Sequence, residues 1–180
     1  MTRQDEIRKY ERAYQNADYR LGDKRRAHIV ERLDATPRGS LLDVSTGRGE
    51  VLDLAAEMGF APVHGTEAVE YLCVDNVTHA LAHDLPFADG SFDVVTMFDV
   101  MEHLLPEDTA AVCAELKRVS RGRVILTVHN GPHVYRGTDL HINRRPSYEA
   151  WHEELERHFG CPVIRHGKGN SISEMFEVVL

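Results

Sequence analysis

The sequence predicts an α/β domain, a mostly parallel sheet with helices on both faces. Three observations carry that reading. Short apolar runs of strand length alternate with longer helical patterns across residues 41–180. Residues 40–50, SLLDVSTGRGE, pass from an apolar run through small residues and two glycines, Gly47 and Gly49, into the helix-forming VLDLAAEM, the order strand, tight turn, helix. Asp43 ends the first run and Glu67 the second, 24 positions later, close to the roughly 20 that set an acidic ribose-binding residue apart in a strand–helix–strand unit.

Each element follows in order. Residues 5–16 read as a helix with Ile7, Tyr10 and Tyr14 on one face. A second helix covers residues 23–33, with Ala27, Val30 and Leu33 or Ile29 turned inward, and residues 36–39 make the turn into the first strand. Gly59-Phe60 ends the next helix, and Pro62 begins the second strand. Residues 68–76 leave room only for a short helix, and residues 77–84 are the third strand. Asp89-Gly90 is turn chemistry before a fourth strand at 92–97. A helix opening at Asp99, another over residues 106–119 and a fifth strand at 124–128 follow. Residues 134–145 lack periodicity and read as a loop. A helix over residues 146–159 places Trp151, Leu155 and His158 on one stripe, and two closing strands flank a glycine-rich loop.

Size and composition narrow the function. The 180 residues fit one domain, with residues 1–34 as a helical cap and 35–180 as the core. At 42% hydrophobic and 28% charged the chain is of ordinary globular composition. No apolar run approaches the roughly 20 residues of a membrane span, and no membrane partner is expected. The charged N-terminus has no apolar signal core, and Cys73, Cys113 and Cys161 are widely spaced without a C-x-x-C, so a cytoplasmic protein with reduced thiols is expected. A net charge of −8 speaks against duplex DNA. The basic residues Arg20, Lys24, Arg25, Arg26 and Arg32 still leave room for a local anionic contact.

The loop after the first strand resembles motif I of the class I S-adenosylmethionine-dependent methyltransferases, a strand ending in Asp or Glu followed by G-x-G-x-G. Ser45 stands where the family has its first glycine. Residues 84–95, DLPFADGSFDVV, are similar to the family's D-x-L-P-F-x-D-x-S-F-D-x-V. The resemblance covers residues 33–180. It implies a Rossmann-like class I methyltransferase fold, a mostly parallel seven-stranded sheet with an antiparallel C-terminal strand, and S-adenosyl-L-methionine as cofactor. It implies that Asp43, Ser45, Thr46, Gly47 and Gly49 form the cofactor loop, and that Glu67, beside Ala68, takes the ribose hydroxyls. Asp84 would meet the adenine amino group, and the Leu85 N–H an adenine ring nitrogen. Met97 and Phe98 would form an apolar wall. Arg20 would reach the methionine carboxylate, or else stay solvated.

The chemistry is placed just after the fourth strand. On a helix Asp99, Glu102 and His103 would share a face. DVMEH is similar to the E-V-x-E-H of two metal-using branches, the ubiquinone-pathway O-methyltransferases and the small-RNA 3′-terminal 2′-O-methyltransferases, with Asp99 replacing the first Glu. Asp139-Leu140-His141 resembles the D-x-H that completes the metal set in the RNA-end branch. Asp99, Glu102, His103 and His141 are therefore candidate ligands for Mg or Mn, and His103 and His141 candidate catalytic residues, with His129 and His133 next. Relatives without a metal use the same pair to shape the pocket, and that alternative stands. The expected acceptor is a hydroxyl of a small molecule, a sugar or a ribose end such as an RNA end, or an amine if no metal is used. MFDVMEHL stands where amino-methylating DNA enzymes carry D/N-P-P-Y/F, and Cys161-Pro162 reverses the Pro-Cys of cytosine C5 enzymes. Two other classes remain, a catalytically silent binding module on the same fold and an α/β oxidoreductase. Leu52 in place of a third glycine speaks against the latter.

Overall fold

The computed structural model describes residues 2–16, 21–135, 137–167 and 173–180. In chain order the elements are α1 (Arg3–Asn16), α2 (Asp23–Asp34), β1 (Leu41–Val44), α3 (Glu50–Glu57), β2 (Val63–Glu67), β3 (Val77–His79) and β4 (Phe92–Phe98). Then come α4 (Thr109–Val119), β5 (Ser120–Val128), β6 (Val134–Tyr135), β7 (Thr138–Asp139), α5 (Tyr148–Phe159), β8 (Val163–Gly167) and β9 (Glu174–Val179).

Seven strands form one sheet in the order β3-β2-β1-β4-β5-β9-β8. The first five run parallel, and β9 is antiparallel to both β5 and β8. The Rossmann-like sheet read from the sequence is present, with its one reversed strand second from the edge. The strand order turns at β1, which pairs with β2 on one side and β4 on the other, so that Asp43 lies level with both Gly65 and Thr96. Ligands of open α/β sheets bind outside the carboxyl ends at such a reversal.

Two apolar clusters clamp the sheet because successive strand residues face opposite sides. Leu42, Val95, Met97, Val124 and Leu126 pack with Leu116 of α4 and with Trp151 and Leu155 of α5. Leu41, Val94 and Ile125 pack on the other face with Ile29 and Leu33 of α2 and Leu54 of α3. Ala27 of α2 is exposed, so the inward stripe of that helix is the 29/33 one. Among the described residues no helix is long and apolar enough to cross a membrane.

Several expected helices are shorter. A single 3₁₀ turn, Glu70–Leu72, stands in place of a helix at 68–76. No α-helix opens at Asp99; only the 3₁₀ turn Met101–His103 forms. Pro106 supplies the reason. The residue before a proline is driven out of the helical region, and Leu104 and Leu105 are both extended. The stretch read as loop carries the two-residue pairing of β6 with β7.

Candidate active site

A cavity of about 360 Å³ opens at the carboxyl ends of β1, β2 and β4. Glu67, Ala68 and Val69 line it from β2, Phe98, Asp99 and Val100 from β4, and α1 lies across it with Ile7, Tyr10 and Tyr14. A smaller cavity of about 110 Å³ adjoins the loop after β1 and is bordered by Asp43, Ser45, Thr46 and Arg48. Tyr14, Arg25, Ser45 and Phe98 border both.

The loop between the cavities is shaped by left-handed backbone. Ser45 has φ 60°, which explains why glycine is the easier residue at that position. Gly47 has φ 59°, and a Cβ there would sit 2.6 Å from the Tyr14 hydroxyl, so it also lets α1 close over the loop. The Gly47 N–H donates to Glu67 Oε2 at 2.8 Å. The Ala68 and Val69 N–H groups donate to Glu67 Oε1 at 2.8 and 3.1 Å. Glu67 is 5% exposed. Burial pushes its pKa up, and these three donors oppose that. Asp43 is also buried, accepts from Thr96 Oγ1 at 2.6 Å, and is pushed up to about 7 by burial, with the Thr96 hydrogen bond opposing. Gly49 caps α3 at φ 80°.

Three placements differ from the sequence reading. Asp84 is exposed and borders neither cavity. Its N–H closes a tight turn onto the Leu81 carbonyl at 3.0 Å. The Leu85 N–H is already used, donating to Glu115 Oε2 at 2.7 Å, and Arg118 holds Glu115 in place. Leu81, Ala82 and His83 line the cavity instead. Met97 is fully buried on the α4/α5 face, so of the Met97–Phe98 pair only Phe98 lines the cavity. Arg20 lies outside the described residues. Arg25 borders both cavities, and its Nη2 pairs with Asp99 Oδ2 at 2.5 Å. Arg25, Ile29 and Leu33 are spaced i, i+4, i+8, so the helical period that buries the last two carries Arg25 to the cavity.

A histidine cluster closes the other side. The His141 ring lies 4.6 Å from His103, 4.8 Å from His129 and 5.3 Å from His133, centroid to centroid. One ligand atom each from Glu102, His103 and His141 falls within 4.8 Å of the others. Glu102 is 0% exposed. Its Oε1 accepts the His129 N–H at 3.0 Å, and its Oε2 has no partner among the described residues. Nδ1 of His141 is 2.6 Å from the Gly131 carbonyl, and Nδ1 of His103 is 3.2 Å from the Leu140 carbonyl. A carbonyl only accepts, so the His141 imidazole carries its proton on Nδ1 and presents Nε2 as a lone pair. The Tyr10 hydroxyl also contacts His103 Nδ1. Burial pushes His103 down to about 3 and lowers His141 as well, so both rings are neutral at pH 7. Burial, then the nearby Asp99 charge, pushes Glu102 well above the usual carboxylate range. Asp99 stands apart from this cluster. Its φ is 52°, it is not on a helix with Glu102, and its carboxylate is taken by Arg25 and by Thr127 Oγ1 at 2.7 Å.

An unpartnered buried carboxylate oxygen beside two imidazoles, each held through Nδ1, fits a divalent cation. Two nitrogens among three donors suit Mn or a later first-row ion better than Mg.

Residues 42–127 match the family model described as a methyltransferase domain. That match and the relative below support a class I S-adenosylmethionine-dependent methyltransferase. It is 28% identical over 125 residues to the ubiquinone/menaquinone biosynthesis C-methyltransferase of Geotalea daltonii, a match over 59% of this chain and 52% of that protein. The chain thus spans about half the length of that curated relative. Its fold is similar to that of the 1,6-didemethyltoxoflavin-N1-methyltransferase of Burkholderia thailandensis, solved with 1,6-didemethyltoxoflavin and S-adenosylhomocysteine. The TM-score is 0.71 at 16% identity, over 96% of this chain and 86% of that one. The magnesium protoporphyrin IX methyltransferase of Synechocystis, solved with bound SAH, gives a TM-score of 0.64 at 18% identity, over 96% and 93% of the two chains. At these identities the likeness is one of fold.

Proposed function

We propose that this chain methylates a hydroxyl of an acceptor carrying two adjacent oxygens, a small molecule, a sugar or a ribose end, using S-adenosylmethionine and a divalent cation. One observation carries the reading. Glu67 and the cluster of Glu102, His103 and His141 border the same cavity, so a ribose-binding carboxylate and a cation-binding set face one space.

The residues divide the work. Three backbone N–H groups hold the Glu67 carboxylate in place, where it would accept hydrogen bonds from the ribose hydroxyls of a bound cofactor. Phe98 and the Leu81–Ala82–His83 wall supply the apolar surface for the base. Arg25, which reaches the smaller cavity, pairs with the carboxylate end of the amino-acid part. When bound, S-adenosylmethionine would supply an electrophilic methyl group, and Glu102, His103 and His141 would hold a cation able to lower the pKa of an acceptor hydroxyl. His103, pushed down to about 3, is a weak base at neutral pH, which favours the ligand role for it over unaided proton abstraction. Helix α1 shields this space from water, with Tyr10 resting on His103.

The test is methyl transfer from labelled S-adenosylmethionine to catechol, methyl ribofuranoside and a short RNA, each with Mn²⁺ and after chelation. Mn²⁺-dependent labelling of an adjacent-oxygen acceptor is the expected result. Labelling that is indifferent to chelation, or confined to an amine, would overturn the acceptor and cation parts. No labelling together with no S-adenosylhomocysteine binding would leave the silent binding module.

A further inference from the structure

Arg25 is positioned to serve two partners. Its side chain borders both cavities, and in this structure it holds Asp99 at 2.5 Å. Asp99 is fixed from its other side as well. Thr127 Oγ1 donates to Asp99 Oδ1 at 2.7 Å, and the Asp99 N–H reaches Thr127 Oγ1 at 3.0 Å and the Thr127 carbonyl at 3.1 Å. The carboxylate so held borders the same cavity as Glu102, three residues on. The Arg25 side chain is 40% exposed against 13% for Asp99, so Arg25 is the partner with freedom to leave.

Resting on the cofactor and cation reading above, we infer that Arg25 is a positioning residue coupling the two sites. While it holds Asp99 that carboxylate is neutralised, and a carboxylate ligand in the smaller cavity that draws Arg25 away leaves the Asp99 charge facing the same cavity as the cation cluster. Two effects act in the same direction. Departure of Arg25 unmasks a fixed negative charge, and it removes a fixed positive charge that opposes cation entry. By linkage, each ligand then tightens the other by the same factor.

The experiment is titration of the chelator-treated chain with Mn²⁺ by calorimetry, alone, with saturating S-adenosylhomocysteine, and with saturating 5′-methylthioadenosine, which keeps the adenosine but lacks the carboxylate. S-adenosylhomocysteine is expected to tighten Mn²⁺ by about fivefold or more, and 5′-methylthioadenosine to leave it unchanged. Arg25→Gln is expected to tighten Mn²⁺ without any nucleoside and to erase the effect of S-adenosylhomocysteine, and Asp99→Asn to erase the coupling with Mn²⁺ weak throughout. A purely structural Arg25 would lose Mn²⁺ affinity on substitution, so a gain separates the two roles. The wild-type contrast between the two nucleosides stands whether or not either variant folds. If S-adenosylhomocysteine binds but leaves Mn²⁺ affinity unchanged, or if both nucleosides act alike, the coupling is overturned and the cofactor reading stands. S-adenosylhomocysteine binding with no Mn²⁺ binding overturns the coupling and the cation site together. No S-adenosylhomocysteine binding overturns the cofactor reading as well.

Discussion

Met97 and Phe98 are neighbours in β4 that serve opposite faces of the sheet. Met97 is 0% exposed in the core beneath α4 and α5, whereas Phe98 forms part of the wall shared by the two cavities. Met97→Ala should therefore cost about 2–5 kcal/mol of stability and leave S-adenosylhomocysteine affinity largely intact. Phe98→Ala should do the reverse, weakening binding several-fold at a smaller stability cost. Denaturant melts paired with calorimetry check both, and equal binding losses would return Met97 to the wall.

Asp84 lies outside the cavity wall, and Glu115 takes the Leu85 N–H. Asp84→Ala is expected to keep S-adenosylhomocysteine affinity within about twofold, well under the tenfold that 1.4 kcal/mol represents. A tenfold loss in a folded Asp84→Ala protein would restore Asp84 as an adenine contact.

Asp43 gives a pH signature. Burial raises it from 3.8 to about 7. Between those values the folded state binds more protons than the unfolded one, so this residue's contribution to stability falls as pH rises through the window. His103, lowered from 6.5 to about 3, has the opposite slope over most of the same range. Comparing Asp43→Asn with wild type cancels the histidine contribution. The variant should gain on wild type by a few kcal/mol, on the order of the shift itself, between pH 4 and pH 8. An offset that does not change with pH would contradict this.

The cation site has a separate pH dependence. Glu102 must lose its proton to bind, and burial holds that proton well above the usual carboxylate range, while His103 and His141 are already neutral. Mn²⁺ affinity should therefore rise with pH beyond the range where an exposed carboxylate has finished titrating. His141→Ala should lower Mn²⁺ affinity tenfold or more and spare S-adenosylhomocysteine binding. An equal loss of both ligands would make His141 a structural residue.

The sheet was readable because its apolar runs are buried on both faces, and the loop from Ser45 to Gly49 because left-handed backbone restricts the residues it accepts. What escaped were contacts between distant segments. Glu115 reaches Leu85 from 30 positions away, and the packing of His129 and His133 against the His141 ring beside His103, all four already candidates, is set only by the fold. One misreading had a local signal. Pro106 marks why no helix runs on from Asp99 through His103. The spacing of Arg25, Ile29 and Leu33 likewise marks Arg25 as an arginine that reaches the site.

The central claim is that Glu67, fixed by the N–H groups of Gly47, Ala68 and Val69, binds the ribose of S-adenosylmethionine. The direct measurement is calorimetric titration of S-adenosylhomocysteine into wild type and Glu67→Ala. One-to-one binding that weakens at least tenfold in the folded variant, about 1.4 kcal/mol or more, is the expected result. Equal affinity in the two proteins, or no binding to wild type, would contradict it.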